Sequence, residues 1–290
     1  MSLFSKRCFL RRHLFSNHVQ KEGITVFDLL KYNREAWEKE VREGNKWTLP
    51  VSEQEIAEAR NGNLRIFLTP TKPVPASWLE DLRGKDILCL ASGGGQQGPL
   101  LAAFGANVTV FDNCPAQLEK DAFVAQRENL TIRLQQGDMR DLSCFADETF
   151  DFIVHPVSNC FVDEVRPVWK EAFRVLKPGG VMISGFDNPI LYIFDLDLWD
   201  RTKSIEVRYK IPYSDLKQLP EEQLAQRIAA HEAVEFGHSL ADQIGGQTDA
   251  GFHLIGFYED NSGWGDLLDP YIDTFIATRA KKPGCGGHHR

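Results

Sequence analysis

The segment Asp86–Pro99, DILCLASGGGQQGP, joins a strand pattern to a helix pattern across a run of glycines. Asp86-Ile87-Leu88-Cys89-Leu90 is short, apolar and bounded by turn formers, as a buried strand is. Ala91-Ser92-Gly93-Gly94-Gly95 supports no regular element, because consecutive glycines favour a tight turn and leave bare backbone open to a ligand. From Gln96 to Phe104 the pattern turns helical. Pro99 suits a first turn, Leu100, Leu101 and Phe104 make an apolar stripe, and Gly105 can cap the end. Strand, glycine turn and helix in succession place a nucleotide-like ligand at a helix N-terminus, beyond the carboxyl end of the strand. By letter, Gly93-x-Gly95-x-x-Gly98 also matches the dinucleotide fingerprint, and a turn that binds nothing is a third reading.

A regular alternation follows. Asn107–Phe111 is a second strand ending at Asp112, and Pro115–Arg127 is a helix. Thr131–Gln135 is a third strand, running into Gln136-Gly137-Asp138-Met139. Phe150–Val154 is a fourth strand ending at His155-Pro156, and Asp163 can cap a helix carrying Val165, Val168, Trp169, Ala172, Phe173 and Leu176. After the turn Lys177-Pro178-Gly179-Gly180 comes a fifth strand, Val181–Gly185. Repeated β–α units imply a parallel sheet with helices on both faces. The rhythm then stops for an aromatic insertion, about 186–238, with a strand at Val207–Ile211 and a helix at Glu221–Ala230. Beyond it, Leu240–Ala250 reads as a helix, and Gly251–Tyr258 and Tyr271–Thr278 read as two strands with no helix between them, an antiparallel pair at the sheet edge.

Ahead of the glycine turn, Ile24–Glu43 is helix-prone, with Asn33 expected to interrupt it and cap a second helix. Ser52-x-x-Glu55 is a capping box for a short helix ending near Gly62. Arg65–Thr69 reads as extended, Pro70, Pro73 and Pro75 as a stiff connector, and Ser77–Leu82 as a short helix. The expected organisation is a basic tail over 1–23, an N-terminal helical cap over 24–81, one sheet domain over 82–280 holding the insertion, and a disordered polar tail over 281–290.

A chain of 290 residues buries about three quarters of its unfolded surface, enough for a full core without disulfides. A net charge of −8 argues against a general nucleic-acid binder. The six cysteines form no C-x-x-C pair, the pattern of reduced thiols in a cytoplasmic protein. No apolar run reaches the length of a membrane span. The acid-free N-terminus, with Lys6, Arg7, Arg11, Arg12 and Lys21, reads as a tail or an over-extended start. The alternative is a presequence directing the chain to the mitochondrial matrix. His231, His238, His253 and the His288-His289 pair lack ligand spacing, and no metal is expected.

ILCLASGGGQQG, VTVFD, QQGDM, FDFIVHP, VLKPGG and the closing strand pair, in this order, resemble the class I S-adenosylmethionine (SAM)-dependent methyltransferases. The resemblance covers roughly Leu82 to Arg279 and is greatest to the small-molecule group that includes quinone-biosynthesis enzymes. The segment YNREAWEKEVREGNKW, Tyr32–Trp47, also resembles an element of uncharacterised members of that group. The resemblance implies a Rossmann-like, mostly parallel seven-stranded sheet with an antiparallel C-terminal strand pair. It also implies SAM as cofactor. Ala91, Ser92, Gly93, Gly95 and Gln96 would hold the methionine end, with backbone N–H groups near its carboxylate. Asp112 would accept from the ribose hydroxyls, which suits a group with several acceptor sites and no donor. Asn113 would line the adenine pocket, Asp138 would accept from the adenine amino group, and Met139 would pack on the purine. His155, beyond the fourth strand, could contact SAM or take a proton from the attacking group. Trp37, Trp47, Tyr192, Phe194, Trp199, Tyr209 and Tyr213 are the candidate lid aromatics. The sequence departs from the family where Ala91 replaces the first glycine of the turn and Cys89 the acid of the strand.

Methyl transfer from a sulfonium needs little acid–base help, so positioning in a site closed to water can supply most of the rate. The expected activity is transfer to a small-molecule acceptor. A nicotinamide-dependent oxidoreductase and a SAM-binding protein without transferase activity stay open as alternatives. His155-Pro156-Val157-Ser158 stands where base-methylating relatives carry Asn/Asp-Pro-Pro-aromatic, which argues against a nucleic-acid substrate.

Overall fold

A computed structural model describes residues 27–284. The basic tail over 1–23, Cys8, Cys285 and the His288-His289 pair lie outside the described residues.

Seven strands form one sheet: β1 (Asp86–Leu90), β2 (Asn107–Asp112), β3 (Ile132–Gln136), β4 (Phe150–His155), β5 (Leu176–Asp187), β6 (His253–Asp260) and β7 (Phe275–Lys281). Their order is β3-β2-β1-β4-β5-β7-β6. β1 to β5 are parallel, and β7 runs antiparallel to both β5 and β6. The chain order reverses direction between β1 and β4, which opens a crevice at the carboxyl ends of those strands.

Alternation along β1 builds two cores. Ile87 and Cys89 pack on one face with Ile56 of α2 (Glu53–Arg60), Leu101 of α3 (Gln97–Phe104) and Val124 of α4 (Pro115–Glu128). Leu88 and Leu90 pack on the other with Val168, Trp169, Ala172 and Val175 of α5 (Arg166–Val175). Trp169 is fully buried and donates from Nε1 to the Asp242 carbonyl at 3.0 Å; truncating such a residue to alanine costs about 3–5 kcal/mol. The segment before β1 shares the first core through Ile56, Ala59, Ile66, Leu68 and Trp78.

Several expectations are corrected. Asn33 does not break the first helix: α1 runs unbroken over Leu29–Glu43, and Asn33 is buried within it. Ser52 and Glu55 do form the reciprocal capping box. Ser77–Leu82 contains only a 3-10 turn, Ala76–Trp78. Arg65–Thr69 and Val207–Ile211 contribute isolated bridges, Phe67 to Pro73 and Phe194 to Val207. The second forms no ladder because Arg208 and Tyr209 both donate to the Ile193 carbonyl. Asp163 caps nothing and instead pairs with Arg140. Leu240–Ala250 is π-helical over Ala241–Gly245 and α-helical over Gly246–Asp249. The last strand starts at Phe275, not Tyr271, because Asp269 gathers the N–H groups of Ser262, Gly265 and Asp266 into a turn just before it. That strand carries Lys281, and Lys282 donates to the carbonyls of Phe173 and Leu176, so the polar tail does not begin at Lys281.

Candidate functional site

A cavity of about 210 Å³ opens at the carboxyl ends of β1, β2, β4 and β5. One end is built around the glycine turn. Gly94 and Gly95 adopt φ of +115° and +73°, which only glycine reaches without strain. Ala91 sits at φ +47°, in the left-handed region, with its N–H on the Phe111 carbonyl at 2.7 Å. Ser92 donates to Gln97 Oε1 at 3.1 Å, and Gln97 in turn donates to the Phe67 carbonyl.

The turn's N–H groups go to two carboxylates of the chain itself. Gly93 donates to Asp112 Oδ2 at 2.9 Å. Gly94 and Gly95 donate to Asp121 Oδ2 at 3.0 and 3.1 Å. Asp121, fully buried on α4, thus takes the N–H groups of Gly94 and Gly95 that the sequence suggests for the carboxylate of a ligand. Gly95 does not line the cavity, whereas Ala91, Ser92, Gly93 and Gln96 do. Burial pushes the Asp121 carboxyl up to about 8 against the pull of its two N–H donors.

Asp112 closes β2 and lines the cavity. Its Oδ2 takes the Gly93 N–H and its Oδ1 the Cys114 N–H at 2.9 Å, so each oxygen keeps acceptor capacity. Burial raises its pKa, and the N–H groups of Cys114 and Gly93 oppose that rise. Asn113 also lines the cavity, but its amide is spent on the Leu30 carbonyl at 2.9 Å, which ties α1 over this end. Asp138 and Met139 are both present, with the Asp138 carboxylate clamped by Arg140 at 2.7–3.1 Å. Gly137 beside them has no room for a side chain, since a Cβ would lie 2.2 Å from the Phe111 ring.

The other end of the cavity is walled by Leu29, Leu30, Trp37, Val157, Phe161 and Phe275. Trp37 meets Phe161 edge-on at 5.2 Å. Asn33 binds this wall together: its amide nitrogen donates to the carbonyls of Phe161 and Val234 at 3.0 Å, and its oxygen accepts from the Val234 N–H at 2.9 Å. Set into the apolar wall are Asp187 at the tip of β5, Tyr192, Glu235 and Cys160. Of the expected lid aromatics, Trp37, Trp47 and Tyr192 line the cavity, and Trp264 joins them. Trp199 and Tyr209 do not. Tyr209 packs on Tyr213, which stacks on Tyr192, so it backs the wall from outside. Trp199 lies against Lys203.

His155 is also absent from the cavity wall. It is fully buried, with Nδ1 2.9 Å from the Leu90 carbonyl and Nε2 2.8 Å from Asn159 Oδ1. Burial holds its pKa below the ordinary histidine value despite those two bonds. Both ring nitrogens are occupied, and the ring packs edge-on against Trp169. It braces β4.

Sequence reasoning missed Asn33 as a tie, and missed Asp121, Cys160, Asp187, Glu235 and Trp264. Asp187 carried a readable signal, an acid at the carboxyl end of a strand just as Asp112 is. The others come together only through folding.

The description "Methyltransferase domain" matches residues 88–184. The chain is 52% identical over 254 residues to the "Uncharacterized methyltransferase YbaJ" of Bacillus subtilis (strain 168), across 88% of this chain and 98% of that one. It is 31% identical over 112 residues to a demethylmenaquinone methyltransferase of Tropheryma whipplei (strain Twist), covering 38% of this chain and 45% of that one. Among solved structures, a SAM-dependent methyltransferase from Mesorhizobium loti shares the fold with a TM-score of 0.54 at 16% identity, across 71% of this chain and 94% of that one.

Proposed function

This chain belongs to the class I SAM-dependent methyltransferases, and from that premise we propose that it methylates a small, largely apolar molecule enclosed in the cavity. The observation that carries this reading is the continuity of that cavity. The same space touches Ala91–Gly93, Asp112 and Met139 at one end and Leu29, Trp37, Phe161 and Phe275 at the other. Walls contributed by α1 and by the segment after β5 suit a molecule that fits inside, and they suit a polynucleotide poorly.

The residues present fit SAM. Asp112 has an acceptor lone pair free on each oxygen for the ribose hydroxyls. Met139 offers a flexible thioether to the purine, and the missing side chain at Gly137 lets the Phe111 ring pack directly against the backbone there. Ala91, Ser92, Gly93 and Gln96 would flank the methionine end. When bound, SAM supplies a methyl group on a positively charged sulfur, with a neutral thioether as leaving group. The protein's part is to exclude water and hold the acceptor in line. Asn113 and Asn33 serve that part by fastening α1 across the cavity at both ends. The free thiols of Cys89, Cys114, Cys144 and Cys160 support a reducing compartment, and we place the protein in the cytoplasm.

The test pairs calorimetry with transfer. S-adenosylhomocysteine (SAH) should release binding heat where NADH does not. Label from methyl-labelled SAM, incubated with the protein and a cell extract, should appear in the organic-soluble small-molecule fraction. Heat with NADH alone, or label confined to macromolecules, overturns the reading.

A further inference from the structure

The acceptor end of the cavity contains one hydrogen too few for the contacts it makes, unless a carboxyl keeps its proton. Tyr192 Oη lies 3.2 Å from Asp187 Oδ2 and 3.2 Å from Glu235 Oε2. A phenol has one hydrogen to donate, and two ionised carboxylates offer only acceptors. Both contacts are satisfied when Glu235 is protonated and donates to Tyr192, while Tyr192 donates to Asp187. The charge then rests on Asp187, which is 9% exposed and faces the cavity beside Cys160. No ion pair to Asp187 or Glu235 is found among the described residues. Arg227, whose charge acts on Glu235, is committed to Asp215 at 2.6 Å and lies 3.9 Å from Glu232. Tyr213 donates to Asp215 as well, the Cys160 thiol touches both Asp187 and Tyr192, and Arg34 and Arg140 line the same cavity.

We propose that Asp187, Tyr192 and Glu235 form a proton relay, and that the methyl acceptor is an uncharged or cationic molecule presenting a hydroxyl or amine to Asp187. This rests on the methyltransferase reading above and deepens it. The nucleophile's lone pair forms the new bond to the methyl carbon. The sulfur–methyl bond breaks, and its electron pair stays on sulfur. The nucleophile's proton passes to Asp187. Glu235, which is more exposed than Asp187, releases its own proton to solvent; reversal of the hydrogen bonds then carries the proton from Asp187 through Tyr192 to Glu235 and restores the resting state. An acceptor bearing a carboxylate or phosphate at this position would set a second negative charge beside a buried one, which is costly. Burial pushes Asp187 up to about 6 and Glu235 up to about 8, so near neutrality one is ionised and the other is not, as the hydrogen count requires.

The test uses the full chain loaded with SAH and three probes of one shape: 4-methylphenol, benzylamine and benzoate. The wild type should bind the first two at least about tenfold more tightly than benzoate. Asp187→Asn should bring the three to parity with SAH affinity unchanged. Glu235→Gln should keep the preference and remove one protonated-carboxyl band from the infrared spectrum at neutral pH. If Asp187→Asn does not fold, a pH series on the wild type replaces it, with the preference against benzoate fading below about pH 6. Equal binding of the probes, tightest binding of benzoate, or no binding of any at millimolar concentration overturns the proposal, as does an unchanged infrared band in Glu235→Gln. Failure of the wild type to bind SAH would instead overturn the methyltransferase reading itself.

Discussion

The two ends of the cavity are built by opposite means. At the donor end the polar work is done by backbone. The N–H groups of Gly93, Gly94, Gly95 and Cys114 converge on two aspartates; all of these residues but Asp121, which lies on α4, fall in two short runs after β1 and at the end of β2. At the acceptor end the polar groups are side chains that satisfy one another: Tyr192 spans Asp187 and Glu235, and Asn33 spans Phe161 and Val234. Backbone geometry is fixed by the fold, whereas a side-chain network can be rewritten residue by residue. The donor end should therefore be the rigid, conserved-chemistry half, and the acceptor end the half that sets what is methylated.

The sharpest way to break this contrast is Asp112→Ala. The substitution removes both oxygens proposed to hold the ribose and leaves the Gly93 and Cys114 N–H groups without partners. Two charge-assisted hydrogen bonds at about 1.5–3 kcal/mol each make a loss of about 100-fold or more in SAH affinity the expected result. Calorimetry reads it directly, and an affinity within threefold of wild type would remove Asp112 from the donor site. Asn33→Ala addresses the other end. It strands two carbonyls and one N–H in a buried position, a cost of about 2–3 kcal/mol. Amide exchange at Val234 should accelerate accordingly, while SAH affinity should stay within about threefold. If donor affinity falls as far as in Asp112→Ala, the two ends are not separable.

Asp121 sharpens the contrast through pH. A carboxyl whose folded pKa lies near 8 keeps its proton after the unfolded chain has lost it. Folding then binds a proton between about pH 4 and pH 8, so stability from this group falls as pH rises through that window and is flat above it. The slope reaches at most about 1.4 kcal/mol per pH unit. Asp121→Asn keeps an oxygen for Gly94 and Gly95 but cannot ionise. Urea unfolding at pH 6 and pH 7.5 should show a smaller stability difference for the variant than for the wild type. Equal differences would mean that Asp121 is ionised beneath the turn throughout.

The same contrast explains what could be read in advance. Strand order and the donor end follow from local patterns: the apolar run before Ala91, the acid ending β2 at Asp112, and the glycine at 137 are each visible in a few consecutive letters. At the acceptor end the sequence points only to Trp37 and Tyr192, and Asp187 is readable as a strand-ending acid; the ties that join it are not legible because their members are far apart in the chain. Asn33 and Val234 are separated by 201 positions, and nothing at either one announces the other. Asn33 even carried a misleading local signal, since an asparagine in a helix pattern reads as a break or cap, while its buried partners hold it inside the helix. His155 misled in the opposite direction. Its place after β4 suggested chemistry, but its ring is packed under the loop against Leu90 and Asn159. Aromatic content pointed to the lid, yet periodicity gave no way to tell Tyr192, which faces the cavity, from Tyr209, which lies behind it.

Ala91 supplies the smallest and most discriminating case, because here the donor end departs from its own backbone logic. The family turn has glycine at this position, and Ala91 adopts φ +47° in its place. Left-handed backbone costs an L-residue about 1–2 kcal/mol, and glycine would give back about 0.5–1 kcal/mol through the greater freedom of its unfolded chain. Ala91→Gly should thus stabilise the protein by less than about 1 kcal/mol, seen as a small rise in the urea midpoint, with SAH affinity within about twofold of wild type. A destabilised variant would mean that the Ala91 methyl group makes packing contacts worth more than the strain it carries. The donor end would then depend on a side chain after all, and the division between a backbone-built half and a side-chain-built half would fail at the residue where the two descriptions meet.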